Sequence, residues 1–235
     1  MLGYYGTLIC LIVCYGIGIK LIPKIKQTKL VTILFPCVVF VGYISCVISM
    51  GIKAGVKDWN FTNTLPTANV SPFMYCLTPL MCLFPKKARR YLYALVALLS
   101  LAMLFAGLMN CVFNIYRHYK FHWEIALDAW THVAVSWFGV YLLKTKQTVL
   151  DKKTALIGAA IVIGVAIIML ILNIFLHTSF FGLSLYGEHN IYNVVVCESG
   201  YLSAAIYFLG VSFVLFAGAI FQKILNPKTV KKQEK

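Results

Sequence analysis

Glu124, Asp128 and His132 recur at intervals of four residues, and in a helix of ~3.6 residues per turn they share one face. Two carboxylates and an imidazole in a row can orient a general base, pass a proton or share a cation. Thr131 and Ser136 border this stripe. Trp123, Trp130 and Trp137 recur every seven residues and fall more than ~90° away from it, so one side of the helix suits a polar interior and the other suits lipid. At ~1.5 Å per residue His132 lies roughly 12 Å deeper than Glu124. Inside hydrocarbon a carboxylate costs about 2.5–3.5 kcal/mol on insertion scales, so Asp128 and His132 call for partners.

Partners of the right type stand at a similar level in other apolar runs. Asn110 and Asn114 share a face with Gly107, Asn173 and His177 are four apart near the end of a later run, and Glu198 precedes the last one together with Tyr201 and Ser203. Asn69 and Ser71, with Asn60, Asn63 and Thr67 before them, lead into the third run. We expect Asn69, Asn110, Asn114, Asn173, His177 and Glu198 to line a substrate pocket. Each alone equally fits an interhelical hydrogen bond or a helix cap, and their shared depth is what groups them.

The elements that must position these residues are transmembrane helices. Hydrophobic residues make up 61% of the 235 and charged residues 12%, with a mean hydropathy of +0.84, which excludes an ordinary soluble domain. Apolar runs at 3–19, 30–52, 66–84, 91–115, 124–143, 155–176 and 200–221 predict an all-α membrane protein, a seven-helix transmembrane bundle. Residues 1–225 form the seven-span domain and 226–235 a basic cytoplasmic tail. The third span carries Pro66, Pro72 and Pro79 and exits at Pro85, which predicts kinks and a helix start near Asn69 and Ser71 with free N–H groups.

The net charge of +14 comes from 21 Lys and Arg residues in short clusters between the apolar runs. The connections alternate between basic-rich and basic-poor, so the positive-inside rule places 17 of the 21 in the cytoplasm, with the N-terminus outside and the C-terminus inside. The first run has no basic leader and no small-x-small cleavage site, and Lys20, Lys24 and Lys26 follow it, so it reads as a retained span. The same clusters suit anionic headgroups on the cytoplasmic face, and membrane lipids are the expected partners. No basic recognition helix or aromatic RNA-binding motif accompanies the charge, so nucleic acid is not expected. The eight cysteines form no Cys-x-x-Cys pair and read as small packing residues.

The stretch Asn63-Thr-Leu-Pro-Thr-Ala-Asn-Val-Ser-Pro-Phe-Met, followed by a proline-bearing apolar run, resembles the opening of a central span in the YwaF-like integral membrane proteins. Thr131-His132-Val-Ala-Val-Ser-Trp-Phe-Gly-Val-Tyr-Leu-Leu resembles that family's His-bearing span, and span number, size and order also fit. The family includes animal transmembrane acyltransferases that move polyunsaturated acyl chains onto ether lysophospholipids. The resemblance therefore implies acyl chemistry with His132 as base and Leu65-Pro66 as the motif frame. The family pattern has His and Cys where this chain has Ala68 and Val70, so a Cys nucleophile does not carry over. Ser71 or Thr67 would replace it, as in the related androgen-induced hydrolases that use Thr and His.

The expected function is lipid acyl transfer or ester hydrolysis at the outer leaflet of a bacterial plasma membrane. The catalytic candidates are His132 as base, Asp128 or Glu124 as the group orienting it, and Ser71 or Thr67 as nucleophile. Two readings stay open beside it: a solute or proton-coupled transporter with Glu124, Asp128 and His132 as a relay, and an accessory protein whose polar stripe only specifies packing. Carboxylate and imidazole four apart, with His118 or His177, could share a divalent ion. Without a second paired motif, neither a metal nor a cofactor is expected.

Overall fold

Main-chain N–H and C=O groups in a long apolar run must bond within the run, and the α-helix is the form that does so. The computed structural model describes residues 2–54, 70–176 and 200–225. In it the runs become α1 (Leu2–Leu21), α2 (Thr28–Ala54), α3 (Val70–Leu80), α4 (Lys86–Tyr116), α5 (Trp123–Lys144), α6 (Lys152–Leu176) and α7 (Gly200–Leu225). Short 3-10 turns, Ile22–Lys24 and Met81–Leu83, follow α1 and α3, and there is no strand among the described residues.

Five helices, α1, α2, α4, α6 and α7, are long and apolar enough to cross a membrane. The other two differ from a simple span for separate reasons. Helix α3 has only 11 residues, and residues 66–69 of the expected third span lie outside those described. Helix α5 has 22 residues but carries Glu124, Asp128 and His132. It also lies deepest in the bundle, packed by α4 along its length and flanked by α1, α2 and α3. Neighbouring helices shield its polar stripe. On the opposite face Trp123 and Trp130 are 47% and 37% exposed, while Glu124, Thr131, His132 and Ser136 are buried; Trp137, expected on the lipid side with them, instead packs against Phe35 and Tyr141 in the core.

Contacts along α5 fix the direction of each neighbour. Tyr4 donates to the Lys120 carbonyl just before α5 and Tyr15 pairs with Ser136, so α1 runs parallel to it. Ser49 meets Glu124 and Tyr141 donates to the Thr28 carbonyl, so α2 runs the other way. Helix α4 is antiparallel too, with Asn110 beside Asp128 and Val96 beside Gly139. Arg90 pairs with Asp151 at the start of α6, and Gln222 near the end of α7 donates to the Ala97 carbonyl. Because successive helices reverse, Lys24, Lys29, Lys86, Arg90, Lys144, Lys153 and Lys223 gather at one end of the bundle, away from Glu124.

The α4–α5 seam is closed by glycine at two levels. A Cβ at Gly107 would stand 2.7 Å from the Ala129 carbonyl oxygen, and one at Gly139 would stand 2.8 Å from that of Val96. Only a missing side chain permits this approach, and it brings Asn110, one turn beyond Gly107, within reach of Asp128. Toward the basic end the core is apolar and aromatic, with Trp137 stacked on Tyr141 at 5.5 Å and Phe35 against Phe138 at 5.7 Å.

Candidate functional site

His132 points from α5 toward α3. Its Nδ1 lies 2.9 Å from the Asp128 carbonyl oxygen, 3.4 Å from Asp128 Oδ2 and in hydrogen-bond contact with Tyr75 Oη. A carbonyl oxygen and a carboxylate only accept, so Nδ1 carries the ring proton. Nε2 is then left with a lone pair, and it lies 2.9 Å from Ser71 Oγ. Ser71 therefore donates to Nε2, the arrangement in which an imidazole takes a hydroxyl proton.

Asp128 is held from two sides. Asn110 Nδ2 donates to Oδ2 at 2.8 Å, and the Tyr75 hydroxyl donates to Oδ1 at 3.3 Å. Asn114 Nδ2 donates to the Asn110 carbonyl at 2.7 Å and to Asn110 Oδ1 at 3.3 Å, which turns the Asn110 amide so that its nitrogen faces the carboxylate. The His132 side chain is 9% exposed and that of Asp128 29%. The imidazole is enclosed, whereas the carboxylate edge is reachable.

Ser71 lies on α3, which the structure describes from Val70. Val70 and Phe73, which flank Ser71 in sequence, pack with Ala166, Met169 and Leu170 of α6 and Phe208 of α7.

The stripe expected on α5 divides in the structure. Asp128 is the carboxylate that reaches the imidazole. Glu124, one turn nearer the helix start, is buried and accepts from Ser49 Oγ at 3.0 Å, while its backbone carbonyl accepts from the Cys46 thiol at 3.3 Å. Thr131 bonds back to the Leu127 carbonyl and Ser136 ties to Tyr15, so both serve packing. Asn110 and Asn114 join the site, and Asn173 is buried in α6. Thr67, Asn69, His177 and Glu198 lie outside the described residues. Among the described residues no three His, Cys, Asp or Glu side chains form a ligand set for a metal, and the described cysteines are free thiols.

Tyr75 is the residue that sequence reasoning missed. The signal was present: Ser71 and Tyr75 are four apart on α3, as Asp128 and His132 are on α5, and the two pairs face each other. Ser49 and Cys46 on α2 were likewise hidden among apolar neighbours. Comparison of the chain with family models, with curated proteins and with solved structures finds no match, so its function has to be argued from this geometry.

Proposed function

We propose that the chain is a seven-span membrane enzyme with its N-terminus outside and its C-terminus in the cytoplasm, transferring or hydrolysing acyl esters of lipid at the outer leaflet. The observation that carries this reading is Ser71 Oγ at 2.9 Å from His132 Nε2, with Nδ1 already committed as a donor on the Asp128 side. Nucleophile, base and orienting carboxylate come from two helices, so no single sequence motif contains them, yet together they fill the three roles a serine acyl enzyme needs. The resemblance to YwaF-like acyltransferases points to the same chemistry with Ser71 in place of a cysteine.

In the proposed cycle Ser71 Oγ attacks the ester carbonyl as its proton passes to His132 Nε2. The tetrahedral oxyanion collapses, the alcohol leaves with the proton from Nε2, and the acyl group stays on Ser71. Water or a lysophospholipid hydroxyl then attacks the acyl-serine, giving its proton to Nε2, and Ser71 recovers that proton as the acyl product departs.

The test is protein reconstituted in phospholipid vesicles, assayed for acyl-ester turnover and for labelling by a fluorophosphonate. Wild type should label at Ser71, and Ser71→Ala and His132→Ala should each lose turnover by at least ~10³-fold. An unchanged rate in Ser71→Ala removes the proposal. It would favour the packing role that the Asn114–Asn110–Asp128 chain, which ties α4 to α5, also fits.

A further inference from the structure

Tyr75 is 1% exposed, and its hydroxyl meets two groups of the site at once. It carries one proton. Asp128 Oδ1, at 3.3 Å, can only accept, so the proton points there and the oxygen lone pairs face His132 Nδ1–H. Nδ1–H is shared with the Asp128 backbone carbonyl at 2.9 Å, whereas a direct bond to the carboxylate is poorer, because Asp128 Oδ2 stands 3.4 Å from Nδ1, beyond the usual 2.7–3.2 Å of an N–H···O bond. Linked end to end, Ser71 donates to His132, His132 to Tyr75, and Tyr75 to Asp128, whose other oxygen is held by Asn110.

The rings show that this place is built. Tyr75 meets the imidazole edge-on, with centroids 5.3 Å apart and planes at 88°, so it seats the ring as well as bonding to it. Tyr43 of α2 packs on it at 5.4 Å. The phenol is thus buried between α2 and α5 with its hydroxyl bonded inside the site.

We propose that Tyr75 is a positioning residue of the acyl-transfer site: its hydroxyl connects Asp128 to His132 and holds the imidazole with Nδ1 protonated and Nε2 open to Ser71. The inference rests on the proposed serine chemistry, but its structural half can be read without any turnover. As the imidazole gains a proton from Ser71, Tyr75 accepts more strongly from Nδ1–H and passes the polarisation to the carboxylate, with no net proton transfer along the link.

The experiment compares wild type with Tyr75→Phe, which keeps the ring and deletes the hydroxyl, in protein labelled with ¹⁵N-histidine. The His132 signals are assigned by their loss in His132→Gln. Wild type should show a strongly downfield Nδ1–H proton and a single Nδ1–H tautomer. Tyr75→Phe, left with the Asp128 carbonyl as the Nδ1–H acceptor, should lose the downfield shift of that proton and gain a minor Nε2–H population, while melting near the wild-type temperature. In the same preparations the fluorophosphonate should label Ser71 at least tenfold more slowly in the variant, and ester turnover should fall in kcat with KM held. If wild type labels and the variant keeps both its labelling rate and its downfield Nδ1–H shift, Tyr75 has no such role. If wild type does not label at all, the acyl-enzyme reading fails, and the resonance alone decides whether Tyr75 sets the tautomer.

Discussion

A serine hydroxyl becomes a useful nucleophile only when a base is aligned to take its proton, and alignment of an imidazole depends on what its far nitrogen touches. The two carboxylates of α5 therefore have different weight. Asp128→Asn keeps an oxygen near Tyr75 and Asn110 but removes the charge that steadies an imidazolium, so kcat for ester turnover should fall by about 10²–10⁴-fold with little change in KM. Glu124→Gln retains an acyl oxygen for Ser49 to donate to and should keep turnover within a few-fold. Steady-state kinetics of the pair checks the assignment, and equal losses would overturn it. Asp128 and His132 were legible as a pair because such types four apart are unusual in apolar runs, whereas Ser71 entered as nucleophile beside Thr67 only through the family resemblance. Tyr75 was not, since tyrosines in such a chain read as interface anchors, and its role emerges only when α3 and α5 are known to face each other.

At the scale of elements, the site depends on how closely α4 approaches α5. Gly107→Ala would place a methyl 2.7 Å from the Ala129 oxygen and 3.0 Å from His132 Cβ, so the seam must open and the imidazole must move. The expected result is a loss of about 1–3 kcal/mol in stability, with turnover falling as well. Gly164→Ala on α6, with no atom within 4 Å of the new methyl, should melt at or above the wild-type temperature. Thermal melts in detergent distinguish the two. Helix ends were read less well than helix centres. Helix α4 begins at Lys86 and α6 at Lys152, several residues before the apolar runs, because basic residues continue a helix that hydropathy alone ends early. At α6 the cap is Asp151, whose Oδ1 accepts from the Thr154 N–H at 2.7 Å and from its hydroxyl at 2.9 Å. The Thr154 N–H holds the Asp151 carboxyl below its ordinary range, with smaller help from Arg90. The cap is thus fully present above the ordinary carboxylate range and fades as pH falls through the lowered folded value. Asp151→Ala should cost about 0.5–2 kcal/mol at neutral pH and progressively less in acid, as melts across pH would show.

For the whole molecule, alternating helix direction turns a pattern in the loops into a difference between two ends. Among the described residues Lys26, Lys29, Lys86, Lys87, Arg89, Arg90, Lys144, Lys146, Lys152 and Lys153 lie at one end, and Arg117 and Lys120 lie in the connection at the other. The alternation was legible in the sequence from where Lys and Arg stand between the apolar runs, and the structure adds that α2 and α4 run opposite to α5 while α1 runs with it. Each Lys or Arg near an anionic surface is worth about 1 kcal/mol, so inverting the bundle would forfeit several such contacts and carry them across the membrane. Ser71, Asp128 and Asn110 lie toward the end that bears Arg117, so under the proposed acyl chemistry orientation would decide which leaflet supplies the ester. Single cysteines placed at Tyr119 and at Lys146, both exposed and outside the helices, report the two ends in full-length protein. In intact cells a membrane-impermeant maleimide should label Tyr119→Cys at once and Lys146→Cys only after permeabilisation. Cys10, Cys14 and Cys37, exposed on the flanks of α1 and α2, should stay shielded by lipid. The reverse order of labelling would turn the bundle over and move the substrate to the cytoplasmic leaflet, leaving the Ser71–His132 geometry intact but changing the lipid it can meet.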